Sequence, residues 1–470
     1  MIPHGHTAFR DPLRTIAAAR PGALAIVSEE RTLTYGALDR LVAGTARALR
    51  TTGVQRVVLC LPTSWQAIVI VLSCVRAGIV ACPISTRLPR DGASALIAAL
   101  SAGLVITGRK DLQDVAKRPE EFLGEEDGGP VRLGIDRAAT VVYTTGSTGL
   151  PKAVMLSTGN HYYSAQGSNG NIVLAPGDRW LVSLPLYHVG GLGILFRCVL
   201  AGATICVPTP DDSLNEAAQR ASVTHLSVVA TQLDRWLRAE NGRQSTRFKA
   251  VLLGGGVTPA ALLDEAYGRG LPLHTTYGCT EMASQITTTP PEASREQLQT
   301  AGRILPHRKV CIAQTGEILV RGPVLFQGYL EHDKITRATD ADGWFHTGDL
   351  GTLDGDGFLH VHGRLDNMFI SGGENIQPEE VERKLRAIKG ISDAVVAPIP
   401  DDEFGSRPIA FLKRADQSLT TDEIKAVLET VLPRFKVPIA FHAWPENIPD
   451  KRGKIDRARF RSLARIRRSH

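Results

Sequence analysis

The sequence predicts an α/β protein: a large N-terminal α/β domain of several subdomains, one of them β-rich, followed by a small C-terminal α+β domain. Three observations carry this. Helical and strand signals alternate through the first part of the chain, the pattern of layered, largely parallel sheets. After about Ser294 the texture changes to Gly, Asp and short alternating strands (GEILVRGP, GWFHTGDLG, GFLHVHGR). A further shift falls at Gly363–Asn367 and opens a final segment of helices and strands. The length of 470 residues allows two to four folding units at roughly 100–200 residues each. With 43% apolar and 22% charged residues, a disordered chain, a fibrous repeat and a disulfide-stapled miniprotein are excluded.

The elements follow in order. Leu38, Leu41, Val42, Ala46 and Leu49 form one helical face. Strands are predicted at Val57–Leu61, Thr140–Thr144, Trp180–Leu184, Thr204–Val207 and Ala250–Leu253. The apolar stretch from Trp65 to Ile84 contains Ser73, Arg76 and Gly78, so it reads as a core helix, a glycine stop and a buried strand, and not as a membrane span. Pro378 opens a helix with apolar Val381, Leu385 and Ile388, and Glu379 and Glu380 suit its positive N-terminus. Strands at Ala394–Ile399 and Pro408–Leu412, a helix at Asp422–Val431 and a strand near Ile439–Ala443 complete the domain. The expected organisation is 1–363, a joint at 364–366, and 367–470.

The net charge of +6 is local. Residues 451–470 hold nine Lys/Arg against one Asp, which leaves the other 450 residues at −2. A nucleic-acid partner would rest on that tail alone, and the favoured reading is a solvated terminal helix rich in Arg. The seven cysteines are odd in number, scattered and mostly in apolar runs, with no C-x2-C pair. They point to a reducing cytoplasm and no structural zinc. The N-terminus has no apolar core of a secretory signal.

The segment from Val142 to Lys152 bears the most chemistry. Every residue from Thr144 to Gly149 is glycine or hydroxylic, and the run directly follows a strand, so its N–H and hydroxyl groups suit a phosphate. It is not a Walker A loop, because Pro151 precedes Lys152 and the glycine spacing is too short. A second signal is Arg197 in the apolar run GLGILFRCVLAG. A guanidinium there needs an anion, either an internal carboxylate or one on a substrate.

TTGSTGLPKA resembles the phosphate-binding signature of the adenylate-forming superfamily of acyl- and aryl-CoA ligases, peptide-synthetase adenylation domains and luciferases. Tyr277-Gly-Cys-Thr-Glu281, His346-Thr-Gly-Asp349, Gly363-Arg-Leu-Asp366 and Pro449-Asp-Lys-Arg-Gly-Lys454 resemble its further motifs and follow in the same order. The resemblance spans residues 140–456 and implies a large N-terminal domain with a small mobile C-terminal one. It implies ATP, Mg2+ and coenzyme A as co-substrates and cofactor. Thr144, Thr145, Gly146, Ser147, Thr148, Gly149 and Lys152 would line the phosphates. Gly254, Gly255 and Gly256 would admit adenine, with Tyr277 stacking on it. Asp349 and Arg364 would meet the ribose. Thr280 and Glu281 would be catalytic, Glu281 holding Mg2+. Asp366 would be the hinge, Gly372 and Gly373 would approach CoA, and Lys454 would bridge carboxylate and α-phosphate. One departure stands out: Ala153 occupies a position where most relatives carry Gly.

Within that superfamily the stretches DRWLVSLPLYHVGGLGILFR, VATQLDRWL and GRLDNMFISGGENIQPEEVERKL resemble the o-succinylbenzoate–CoA ligase branch of menaquinone biosynthesis. The branch's substrate is a dicarboxylate. Arg197 would then bind its ring carboxylate, with Ser227 and Thr231 lining the same pocket. His188 falls at the superfamily's aromatic gate, where the resemblance implies a catalytic and substrate-side role, or else is a satisfied core histidine. Rival readings are a ligase for another aryl or short acyl acid, an adenylating enzyme that loads a carrier protein, and a silent nucleotide sensor. The expected partners are small molecules, with no nucleic acid and no membrane insertion. The assembly state is open, a homodimer included.

Overall fold

The computed structural model describes residues 7–145, 151–239, 248–331, 333–372, 374–401, 403–416, 418–446 and 456–466. Among these residues, two large sheets form the N-terminal part. One has nine strands, and its middle strands are parallel: Leu273–Cys279, Ala250–Leu253, His225–Val228, Arg179–Leu181, Thr204–Cys206 and Leu24–Val27, in that spatial order. Ser284–Thr288 and Arg303–Ile304 extend it antiparallel on one edge, and Thr32–Thr34 on the other. The second sheet has seven strands, with a parallel part built from Leu104–Thr107, Arg56–Cys60, Val80–Pro83 and Ala138–Thr145. Pro151–Ser157, Gly328–Glu331 and Lys334–Thr336 continue it antiparallel.

Local chemistry explains these elements. Thr34 caps the helix Tyr35–Thr51 by accepting from the Ala37 N–H. Ser64 caps Trp65–Ala77 in the same way, and Gly78 ends that helix in the left-handed conformation at φ +70°. The expected glycine stop and buried strand are therefore present, the strand at Val80–Pro83. The strand expected at Trp180–Leu184 covers only Arg179–Leu181, because the chain turns away at Ser183 toward the helix Val189–Ala201. Arg76 lies in the apolar core helix and is nearly inaccessible, yet it is fully compensated. Its Nε donates to Asp11 Oδ2 at 2.8 Å and its Nη2 to Asp39 Oδ1 at 2.7 Å.

A four-stranded antiparallel sheet follows: Lys309–Ile312, Glu317–Arg321, Phe345–Leu353 and Leu359–Arg364. Beyond a short turn at Leu365–Asn367 the chain builds cores of its own. Ile376, Val381, Leu385, Ile424 and Leu428 centre one, and Val395, Phe411 and Phe460 the other. The last sheet pairs Ile391–Asp401 with Gly405–Arg414, and Ala440–Ala443 runs parallel to the latter. No helix of the described residues is long and apolar enough to cross a membrane.

The terminal helix Arg457–Ile466 corrects the sequence expectation. It is not simply solvated: Phe460 and Ala464 are fully buried, and the Phe460 ring meets Phe411 and Trp444 edge-on at 5.2 and 5.0 Å. Arg457 is held by Glu382 through two hydrogen bonds of 2.7 and 2.6 Å. The charge run hid a narrow apolar stripe, four residues apart, that packs on the sheet. Phe460→Ala should therefore cost about 3–5 kcal/mol in urea unfolding of the full chain; a cost below about 1 kcal/mol would make the helix peripheral.

Candidate active site

The carboxyl ends of the parallel strands converge on one side of the nine-stranded sheet, the usual place for a ligand crevice in α/β folds. Gly254, Gly255 and Gly256 follow Ala250–Leu253. A Cβ on Gly254 would lie 2.7 Å from Thr276 Cγ2, and Gly255 takes φ +87°, so the glycines let this turn press against the neighbouring strand. That neighbour carries Tyr277 and then the 3-10 turn Thr280–Met282, which holds Thr280 and Glu281.

Tyr277 Oη donates to Asp349 Oδ2 at 2.6 Å, and Arg364 Nη1 donates to Asp349 Oδ1 at 3.0 Å. Asp349 and Arg364 face each other directly across the hairpin of Phe345–Leu353 and Leu359–Arg364. Thr347 orders both, its Oγ1 accepting from the Asp349 N–H and its carbonyl from Arg364. Burial, then the Asp349 charge, pushes the Tyr277 phenol well above its ordinary pKa. Burial alone would lower Arg364, but Asp349 and Asp366 outweigh it and raise it.

Glu281 meets a residue that sequence reasoning missed. Tyr329 Oη donates to Glu281 Oε1 at 2.9 Å, and Lys152 Nζ lies 5.0 Å from the centre of the Tyr329 ring. No motif flags Tyr329; only the antiparallel pairing of Gly328–Glu331 with Pro151–Ser157 brings it here. Thr144 pairs with Lys152, and Thr145 with Pro151, so the two strands deliver both ends of the Gly/Thr loop. Gly146, Ser147, Thr148 and Gly149 lie outside the described residues, as do Gly373 and Lys454. Ala153 is buried in this strand pair, with Tyr143 opposite it.

Arg197 lies deep in the helix Val189–Ala201, only 1% exposed. Its Nη2 donates to Ser284 Oγ at 3.1 Å, and its guanidinium stands 5.3 Å from the Trp180 ring centre. Its Nε and Nη1 have no hydrogen-bond partner among the described residues. Among the described residues no carboxylate pairs with it, so the internal salt bridge is overturned, in contrast to Arg76. Burial pulls its pKa down to about 10, which leaves it charged at neutral pH. Trp180 Nε1 donates to Ser227 Oγ at 3.1 Å, which places Ser227 in the same group. Gly193 keeps the space open: a Cβ there would lie 3.1 Å from Arg197 Nη2. Sequence reasoning missed Ser284 and the buried Arg308, which burial, then the Arg197 charge, lowers to about 9.

The remaining expected residues spread further. Thr231 is half-buried in the first turn of the helix Ala230–Ala239, and no described hydrogen bond joins it to Arg197 or Ser227. His188 is exposed at the start of the helix Val189–Ala201, with its ring centre 4.8 Å from that of Tyr187, so the buried core-histidine reading is overturned. Asp366 is exposed in the turn after Arg364 and accepts from Arg364 Nη2 at 3.1 Å. Gly372, at φ +57°, forms a hairpin turn whose N–H donates to the Phe404 carbonyl.

A family model described as AMP-binding enzyme matches residues 13–330, and its C-terminal domain model matches residues 380–454. The chain belongs to the AMP-binding enzyme family. Among relatives of this AMP-binding enzyme, a 2-succinylbenzoate–CoA ligase of Bacillus licheniformis is 35% identical over 92% of this chain and 95% of its own. A Listeria monocytogenes protein of the same name is 38% identical, and that match spans 65% of each chain. The o-succinylbenzoate coenzyme A synthetase (MenE) of Bacillus subtilis, solved with ATP and magnesium ion, superposes with a TM-score of 0.83. It is 31% identical and covers 93% of this chain and 96% of its own.

An uncompensated buried cation destabilises the ligand-free protein. Arg197→Met should therefore raise ligand-free stability, by about 1–4 kcal/mol in urea unfolding. A loss of stability would show that the charge is already balanced.

Proposed function

We propose that this chain is an AMP-forming acid–CoA ligase that converts o-succinylbenzoate to o-succinylbenzoyl-CoA for menaquinone synthesis. The acid choice rests on one observation: a buried, charged Arg197 with two unused donor atoms beside Ser284. A substrate whose second carboxylate enters this pocket supplies the missing anion, as a charge-assisted pair. The relatives' names agree with that chemistry.

The reaction has two halves. A carboxylate is a poor electrophile, so the succinyl carboxylate first attacks the α-phosphorus of ATP, breaking the bond to pyrophosphate and forming the acyl-adenylate. Two anions approach each other in this step, so fixed positive charge and geometry lower the barrier. In our reading Lys454 bridges the carboxylate and α-phosphate, and Lys152 with the Thr144–Gly149 run holds the outer phosphates. The Tyr277–Asp349–Arg364 group holds the adenosine, with Asp349 accepting from ribose hydroxyls. The CoA thiolate then attacks the acyl carbon, the bond to AMP breaks, and the thioester leaves.

Glu281 fits Mg2+, because its carboxylate offers hard oxygens and Tyr329 orients one of them. When bound, the ion neutralises phosphate charge. Between the halves, residues 367–470 turn about Asp366, withdrawing Lys454 and bringing Gly372 and Gly373 toward CoA. A cytoplasmic setting suits the seven free cysteines.

The deciding experiment measures thioester formation with Mg-ATP and CoA on o-succinylbenzoate, 4-phenyl-4-oxobutanoate (which lacks the ring carboxylate), benzoate and fatty acids. A strong preference for o-succinylbenzoate is expected, whereas equal turnover of simple acids would discard the assignment. Pyrophosphate release without thioester would point to a carrier protein as acceptor. Arg197→Met should cost about 2–5 kcal/mol in kcat/KM on the dicarboxylate and little on the monocarboxylate; an unchanged value would leave the arginine structural. Lys454→Ala should abolish adenylation yet retain thioester formation from supplied acyl-adenylate. Equal loss of both would end the alternation mechanism.

A further inference from the structure

A second buried guanidinium, that of Arg308, lies close enough to Arg197 to feel its charge. Arg308 is 6% exposed, and among the described residues no carboxylate pairs with it. Unlike Arg197, it is saturated with neutral acceptors. Its Nε donates to the Gln285 carbonyl at 2.7 Å and its Nη1 to the Pro306 carbonyl at 2.6 Å. Its Nη2 donates to Ser164 Oγ at 3.0 Å and to the Ser164 carbonyl at 3.2 Å. Ser164 Oγ in turn donates to the Ala283 carbonyl at 3.0 Å. The carbonyls of residues 283 and 285 are thus gripped from one side, while the residue between them, Ser284, offers its hydroxyl to Arg197.

The gripped corner is an unusual piece of backbone. Ala283 and Ser284 take φ +52° and +121°, conformations that L-residues adopt only when their surroundings impose them. A Cβ on Gly278 would lie 1.9 Å from the Ser284 carbonyl oxygen, so the facing strand closes the corner from its other side. Two helix glycines make room for the two cations. Gly193 does so at Arg197, and Gly167 does so at Arg308, where a Cβ would lie 2.1 Å from Nη1. Interior helix glycines weaken a helix, and each of these sits at a guanidinium's closest approach.

We propose that Arg308, with Ser164, is a positioning residue for acid selection: it holds the Ala283–Gln285 corner so that Ser284 and Arg197 jointly face the substrate's second carboxylate. This rests on the dicarboxylate reading above and deepens it. Arg308 does not touch the substrate. Its hydrogen bonds set the corner, and its unneutralised charge adds to the field that draws an anion to Arg197.

The test measures kcat and KM for thioester formation at saturating ATP and CoA, with o-succinylbenzoate and with 4-phenyl-4-oxobutanoate. The variants are Arg308→Gln, Arg308→Lys and Ser164→Ala. Arg308→Gln should raise KM for the dicarboxylate about tenfold, while its kcat and the monocarboxylate's kcat/KM stay within about threefold of wild type. Arg308→Lys, which keeps the charge, should recover part of the preference. Ser164→Ala should shift it in the same direction by about threefold. Parallel losses on both acids, or an unchanged preference in Arg308→Gln, would overturn the proposal. If Arg308→Gln does not fold, an unchanged preference in Ser164→Ala overturns it. A wild-type enzyme without preference would instead remove the dicarboxylate reading itself.

Discussion

A guanidinium taken out of water needs an anion or a full set of acceptors. Three buried arginines meet that constraint in three ways. Arg76 is paired with Asp11 and Asp39, and it ties the first helices to the core. Arg308 is wrapped by carbonyls and a hydroxyl. Among the described residues Arg197 keeps two donors without a hydrogen-bond partner, and its guanidinium meets Ser284 Oγ and the Trp180 ring. The architecture around it follows from that debt: a glycine at Gly193 to leave space, an indole braced on Ser227, and a strained corner that aims Ser284 inward. In the proposed reading, a site that waits for an anion is less stable when empty and gains that energy back as selectivity when a second carboxylate fills it.

The same corner joins this pocket to the nucleotide side. Leu273–Cys279, the turn Thr280–Met282 and Ser284–Thr288 are one continuous hairpin. It carries Tyr277, Glu281 and Ser284 in sequence. Under the proposed function, a shift of the hairpin would therefore move adenosine contacts and acid contacts together, as a reaction between the two substrates requires. Asp349 lies at the far side of this group, bonded to Tyr277 and to Arg364, so the hairpin also touches the sheet that leads to the C-terminal part.

The joint itself is densely bonded. Gln377 Nε2 donates to the Arg364 carbonyl, Asn367 Nδ2 to Glu379, and Arg461 Nη2 to the Asp366 carbonyl. Arg457, three residues after Lys454, also reaches Glu379 at 3.2 Å. Turning about Asp366 would exchange several of these polar contacts. Such a joint suits two arrangements of similar stability.

Much of this protein was legible in its residue order. Gly78, Pro378 and the apolar period of Leu38–Leu49 mark elements that depend on local chemistry, and the structure has them. The ordered motifs located Tyr277, Glu281, Asp349 and Arg364, since glycine turns and hydroxylic runs leave strong local signals. Tyr329, Ser284 and Arg308 left none, because each reaches the site through strand pairing or a corner distant in sequence, and nothing in their neighbours marks it. The terminal helix was misjudged for a related reason: the nine Lys/Arg of residues 451–470 are conspicuous, whereas Phe460 gains meaning only once Phe411 and Trp444 are known to face it. The sequence alone determined that Arg197 needs a partner, because a guanidinium in an apolar helix requires an anion or a full set of acceptors. Only the tertiary structure decided that no carboxylate of the described chain supplies it, since pairing depends on which side chains the fold brings within a few ångströms.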